Sequence, residues 1–220
     1  MSLHPEVQQK AQEEIDRVVG HDHLPNAQDR KNLPYVDAIM REVMRFDPVI
    51  PLGEFQRGQA PLDLLTCALA VPHRLKEDDV YEGMLSWRLI PRSLNNVATG
   101  YHFTKDTIFY PNNWYILHNE ALYPDPFTFN PDRFMQPAKD EQTEKLRDPF
   151  TYAFGYGRRI CPGMHLAIDS MFVTIAMSLA TLDIDKKKDA NGQCIEPQVE
   201  YSTGTIRYVF PVTHLAAAIF

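Results

Sequence analysis

The chain has 220 residues, 44% hydrophobic and 23% charged, enough to bury a core as one large domain or two small ones. Its formal net charge of -7 supplies no general basic surface for neutralising phosphates, which argues against nucleic acid as a partner. Three cysteines, Cys67, Cys161 and Cys194, are too few and too scattered for a disulfide framework, so a reducing compartment is expected.

In chain order, "HPEVQQKAQEEIDRVVG" places Pro5 at a first helical position and stops at Gly20, which predicts a helix. "LPYVDAIMREVMRF" repeats apolar residues at helical spacing (Val36, Ile39, Met40, Val43, Met44) and ends before Pro48, which predicts a second. Residues 48 to 135 are rich in proline and carry short β-like runs, "TIFYP" and "WYILH". "LYPDPFTFNPDRF" contains Pro124, Pro126 and Pro131, which argue against both a helix and a central strand and leave a meander or a loop, its aromatics favouring an ordered meander. From Pro162 a long apolar helix is expected to run to about Leu182, with Ile168, Phe172, Ile175 and Leu179 on one core-packed stripe. "IDKKKDANGQ" follows as a solvated turn, and a β-like section closes the chain. No run of about 18 uncharged apolar residues occurs, and the start lacks the basic-then-apolar order of a signal peptide. The chain as given is therefore expected to be cytoplasmic.

One loop carries chemistry. In "FGYGRRICPGMHLA", Cys161 stands one residue before Pro162, which suits the first position of the following helix and puts the sulfur near that helix's positive end. Gly157 and Gly163 allow backbone to approach something flat and large, and Arg159 offers a fork to carboxylates. Iron for the sulfur and propionates for the arginine are both supplied by heme. Taken alone, a single cysteine in such a turn is more often a buried structural residue. Phe154, Gly157, Arg159, Cys161 and Gly163 nevertheless fit F-x-x-G-x-R-x-C-x-G, and this pattern resembles the heme-binding signature of the cytochrome P450 monooxygenases, of fungal type. His165, four residues after Cys161, offers a zinc half-site, but no second ligand pair at matching spacing accompanies it.

The resemblance reweights two further features. Glu42 and Arg45 in "REVMR" share a helix face at i, i+3, and by themselves describe an ordinary surface pair. E-x-x-R upstream of the cysteine is the family's second signature, and it implies a third member, matched by Arg133 in "FNPDRF". Glu42, Arg45 and Arg133 would then form a buried structural network rather than a catalytic one. In "VPHRLKEDDVYEG" the resemblance matches Arg74 to a propionate-contacting arginine, against the alternative of a solvent-facing side chain beside an acidic run.

What the resemblance implies is a mainly α fold with small β-sheets (α+β), the C-terminal half of the cytochrome P450 fold. Residues 1–220 would be a partial domain with Cys161 as the ligand of heme iron, the one metal expected. The cofactor would be heme (iron protoporphyrin IX), and the partners an NADPH-dependent cytochrome reductase and a small apolar organic substrate. The pocket would be lined near Val49 to Pro51 and Gly204 to Ile206. A full-length relative would sit on the endoplasmic-reticulum membrane, and Met1 resembles an internal methionine. The other reading is a non-catalytic remnant or partner-binding fragment in which Cys161 stays a free thiol.

Two segments depart from the pattern. Family members run from "PLG" almost directly into "VPHR" and from "VYEG" into a Y-x-F strand, whereas Glu54 to Ala70 and Met84 to Gly100 intervene here. Gly53-Glu54-Phe55 and Gly83-Met84-Leu85 can be encoded with GTGAGT and GTATGT donor sites, and Leu69-Ala70 and Thr99-Gly100 with a terminal AG. Both segments are therefore expected to be translated introns, the alternative being surface-loop insertions, which are thermodynamically tolerable. The ending "RYVFPVTHLAAAIF" also departs from the family pattern.

Overall fold

The structure, a computed structural model, describes residues 1–49, 73–81, 101–197 and 214–218. Helix α1, Pro5–Val18, has proline in its first turn, Glu6 near its positive end and Arg17 near its negative end. Gly20, at φ 76°, ends it in the left-handed region that glycine enters without strain. The N–H groups of Val19 and Gly20 then both reach back to the Ile15 carbonyl, at 2.8 and 3.3 Å.

Helix α2, Pro34–Phe46, receives no capping bond from its own N-cap, Leu33. Glu14 of α1 supplies one from across the interface, accepting from the N–H groups of Tyr35 at 2.9 Å and Val36 at 3.1 Å. The carboxylate is buried, and it faces the positive end of the α2 dipole. Of the expected apolar stripe on α2, Val36, Ile39, Met40 and Met44 are buried, but Val43 is 44% exposed. The buried face instead continues through Glu42 and Arg45, so part of the seam that periodicity marks as apolar is polar.

Helix α6, Met164–Thr181, packs against both, and Ile168, Phe172, Ala176 and Leu179 meet Val7, Ala11 and Ile15 of α1 and Val36, Ile39 and Met40 of α2. Each of these side chains larger than alanine contributes roughly 1.5–3 kcal/mol on leaving water. Ala176 takes the buried place, and Ile175 is only partly buried. By length and composition α6 is apolar enough to cross a membrane, although one of its faces lies in this core. It begins at Met164 with Gly163 as its N-cap, so Pro162 is not its first residue as expected.

The strands form three antiparallel pairs among the described residues: β1 (His73–Arg74) with β4 (Ile108–Phe109), β2 (Asp79–Tyr81) with β3 (Tyr101–Phe103), and β5 (Leu182–Lys186) with β6 (His214–Ala218). "WYILH", expected to be β-like, is helical instead. Helix α3, Asn113–Leu117, forms because the Asn112 side chain accepts from the Tyr115 N–H at 3.1 Å, capping the turn against the β preference of Trp, Tyr and Ile. Two short helices, α4 (Glu141–Arg147) and α5 (Phe150–Ala153), lead into the cysteine loop. The architecture is helix-rich with small sheets, as expected. Segments 54–70 and 84–100, residues 50–51 and 204–206, and Cys67 lie outside the described residues.

Candidate functional site

Glu42 and Arg45 sit on the α2 face that turns toward the proline meander, and both side chains are 0% exposed. Arg45 donates from Nε to Glu42 Oε2 at 2.7 Å and from Nη2 to Oε1 at 2.9 Å, a two-pronged match of fork to carboxylate. Its third prong, Nη1, donates to the Leu117 carbonyl at the end of α3, at 2.9 Å. Arg133 stands in a 3-10 turn, Pro131–Phe134, opened by Asn130, whose side chain accepts from the Asp132 N–H. Its Nε lies 3.2 Å from Glu42 Oε2, and the Asn130 N–H adds a further bond to Oε1 at 2.8 Å. The rest of the Arg133 guanidinium donates to the carbonyls of Pro124 (2.7 Å), Asp125 (3.2 Å) and Thr128 (3.0 Å). Burial pulls this guanidinium down from its ordinary value, opposed by the attraction of Glu42. One carboxylate thus joins α2, α3 and the meander through two arginines. These three residues, 91 positions apart at the extremes, are brought together.

The cysteine loop leaves α5 through Phe154, which is buried, and turns at Gly155 (φ 78°) and Gly157 (φ 59°). A 3-10 turn, Gly157–Arg159, returns the chain so that the Cys161 N–H donates to the Phe154 carbonyl at 2.8 Å. This bond closes the loop and places Cys161 two residues before the N-cap of α6. The Cys161 side chain is half-buried and packs on the core that α1, α2 and α6 share. A Cβ on Gly163 would stand 3.8 Å from the sulfur, whereas one on Gly157 would meet nothing within 4 Å. Ile160 and Leu166, on either side of the cysteine in sequence, are 45% and 74% exposed.

Two side-chain contacts secure the loop that sequence reasoning did not single out. Arg41 of α2 reaches Asp148 at 2.9 Å and lies over the Phe150 ring at 5.3 Å, fixing the start of α5. Tyr156 donates from its hydroxyl to Asn113 Oδ1 of α3 at 2.7 Å, and Asn113 is 2% exposed. The only sequence signal for Asn113 is the Asn-Asn pair opening a short run, a helix-start pattern.

The other expected residues are not drawn into this arrangement. Arg159 is exposed, and Arg74, with its side chain 69% exposed, pairs with Asp106 through Nε at 2.7 Å. His165 is exposed, and among the described residues no three His, Cys, Asp or Glu side chains gather as a metal-binding group. An open cleft of about 660 Å³ lies between Ala27, Arg30, Asp37, Arg41, Phe134 and Glu144, and contains none of the predicted site residues.

The cytochrome P450 family model matches residues 1–60 and 88–208; its break overlaps both segments suspected as insertions without coinciding with either. Cytochrome P450 monooxygenase 98 of Postia placenta is 39% identical over 95% of this chain and 34% of its own length. Cytochrome P450 monooxygenase claR of Ampulloclitocybe clavipes is 41% identical over 96% of this chain and 32% of its own length. A zebra fish cytochrome P450 solved with abiraterone superposes with a TM-score of 0.70 at 25% identity, covering 99% of this chain and 40% of that one. The chain thus spans about a third of the length of the curated relatives it matches. The helix-rich architecture, the fungal relatives and the matched family model agree that this chain belongs to the cytochrome P450 family.

Proposed function

We propose that this chain carries the cysteine-loop side of a heme-thiolate monooxygenase site, with Cys161 as the iron ligand. The observation that carries the reading is the closed loop: F-x-x-G-x-R-x-C-x-G is folded back on itself by the Cys161-to-Phe154 bond, holding one half-buried sulfur beside Gly163. Heme fits the residues present. A single soft sulfur donor suits heme iron, exposed Ile160 and Leu166 offer apolar surface near it, and Arg158 and Arg159 supply cations. When bound, heme would supply the iron for dioxygen reduction, with the thiolate favouring O–O cleavage.

The chain's own residues would divide the remaining work. Gly163 lets the backbone lie beside the sulfur and Gly157 leaves its own side of the loop open, while Arg159 and Arg74 would hold the propionates once Arg74 is drawn away from Asp106. Glu42, Arg45 and Arg133 would keep the meander and α3 in place around the loop. Monooxygenation itself, with a small apolar substrate and electrons from an NADPH-dependent reductase, belongs on this reading to a protein of the relatives' length, on the endoplasmic-reticulum membrane. The chain by itself would not be competent.

Thiol modification of the purified chain tests the assignment, with exposed Cys194 as internal reference. Added heme is expected to protect Cys161 and not Cys194. Equal modification with and without heme favours the remnant reading, in which Cys161 is a free thiol. A stable thiolate-ligated ferrous carbonyl spectrum from this chain alone would overturn the claim that it is not competent. We also propose that segments 54–70 and 84–100 are translated introns; a mature transcript retaining both across codons 53 to 101 sinks that idea.

A further inference from the structure

The glutamate-arginine clamp and the cysteine loop are both hydrogen-bonded to α3, one at each of its ends. Glu42 reaches it through Arg45, which donates to the Leu117 carbonyl at the C-terminal end of α3, and α3 carries Asn113 at its other end, where Asn113 Oδ1 accepts the Tyr156 hydroxyl. Tyr156 lies between Gly155 (φ 78°) and Gly157 (φ 59°), two positions whose backbone no side chain restrains. It is therefore the side chain best placed to stop the loop swinging at those hinges. We propose that Asn113 and Tyr156 are positioning residues that hold the Cys161 sulfur in place by tying the cysteine loop to α3, a role that rests on Cys161 being the iron ligand.

Three observations support the assignment. Asn113 is 2% exposed and its Oδ1 faces the hydroxyl at 2.7 Å, so loss of this bond is not made good by water. Burial, with neighbouring Tyr152 adding to it, pushes the Tyr156 phenol up to about 12, so it remains a donor across the working pH range. The Tyr156 ring also packs on Leu117, Tyr123 and Tyr152, so Tyr156→Phe keeps the packing and removes only the bond.

The test uses the full chain without heme. The exchange rate of the Cys161 amide, which is bonded to Phe154, and the labelling rate of the Cys161 thiol relative to Cys194 report opening of the loop. Tyr156→Phe and Asn113→Leu are each expected to raise both rates roughly 5- to 150-fold, the range for leaving one buried polar group without its partner. Asn113→Leu also gives up the Nδ2 bond to the Tyr152 carbonyl at 3.4 Å, so the double variant is expected to match Asn113→Leu rather than the product of the two changes. Asn113→Asp, which keeps an acceptor oxygen for the hydroxyl but loses the Nδ2 donor to the Tyr152 carbonyl, is expected to restore protection in part. Tyr152→Phe, whose hydroxyl bonds instead to the Leu146 carbonyl at 3.0 Å, is expected to leave Cys161 unchanged. Unchanged rates in Tyr156→Phe, or additive effects in the double variant, overturn the coupling. Failure of heme to protect Cys161 in the unmodified chain overturns instead the iron-ligand reading beneath it, so the two failures are told apart.

Discussion

Truncating Glu42 to alanine removes the shared acceptor of the clamp. Arg45, fully buried, loses bonds of 2.7 and 2.9 Å, Arg133 loses its partner at 3.2 Å, and the Asn130 N–H loses its acceptor at 2.8 Å. Leaving one buried charge without its partner costs about 3–5 kcal/mol, and the orphaned amide pushes the loss toward the upper end. Had the pair been the surface feature that i, i+3 spacing alone describes, the loss would be about 0.2–0.5 kcal/mol. The two readings differ by roughly an order of magnitude, and the larger one is a substantial share of a typical stability of about 5–15 kcal/mol. Urea unfolding followed by tryptophan fluorescence measures it, because Trp114 stacks on His118 at 3.7 Å within the segment that the clamp holds. A loss below about 1 kcal/mol, the scale of an exposed ion pair, would refute the clamp as an energetic unit. A companion variant, Glu42→Leu with Arg45→Met, is expected to recover part of the loss, since apolar replacement of a whole buried pair is often tolerated.

Other expectations follow from the same contacts. Arg133→Lys keeps the charge but cannot reach Glu42 and three carbonyls together; a loss of about 1–3 kcal/mol is expected, with faster amide exchange over residues 124–130. Burial, assisted by Arg45, lowers His118 below its ordinary 6.5, against the Trp114 and Phe46 carbonyls and Glu42. Its contribution to stability is thus fully present above pH 6.5 and declines as pH falls toward the lowered folded value, because the unfolded chain takes up the proton first. His118→Phe is expected to flatten that slope relative to the parent in urea midpoints measured across the window; an unchanged slope counts against it. Gly157→Ala meets no steric obstacle but must hold φ 59°, at a cost of about 1–2 kcal/mol, read as faster exchange of the Cys161 amide.

Legibility in the sequence followed the range of the interactions. Helices α1, α2 and α6 were visible because their apolar spacing and proline or glycine punctuation act over a few residues. Helix α3 was hidden because its propensity is β-like, and what overrides it is the Asn112 cap and a bond from Arg45, 72 residues away from Leu117. The late start of α6 has a similar cause, since the Cys161 N–H turns back to Phe154 and leaves Pro162 in the turn. The loop motif and the E-x-x-R pair could be named through their resemblance to the family's two signatures, since spacing alone describes a turn cysteine and a surface pair. The loop's tie to α3 through Asn113 and Tyr156 could not, because an asparagine and a tyrosine separated by 43 positions leave no periodic trace. Val43 shows the converse, an apolar residue on the predicted stripe that lies on the solvent side because Glu42 and Arg45 occupy the buried seam.

The Glu14 cap on α2 has a mechanical consequence. A helix held only by greasy contacts along its flank retains two soft movements, sliding along its axis and turning about it; shifting register by one residue means about 1.5 Å of the first and about 100° of the second. Glu14 grips the α2 backbone end-on, while Glu42 and Arg45 grip it sideways near the other end. The first contact opposes the slide and the second the turn, so α2 is pinned like a keyed shaft, fixed both along and about its axis.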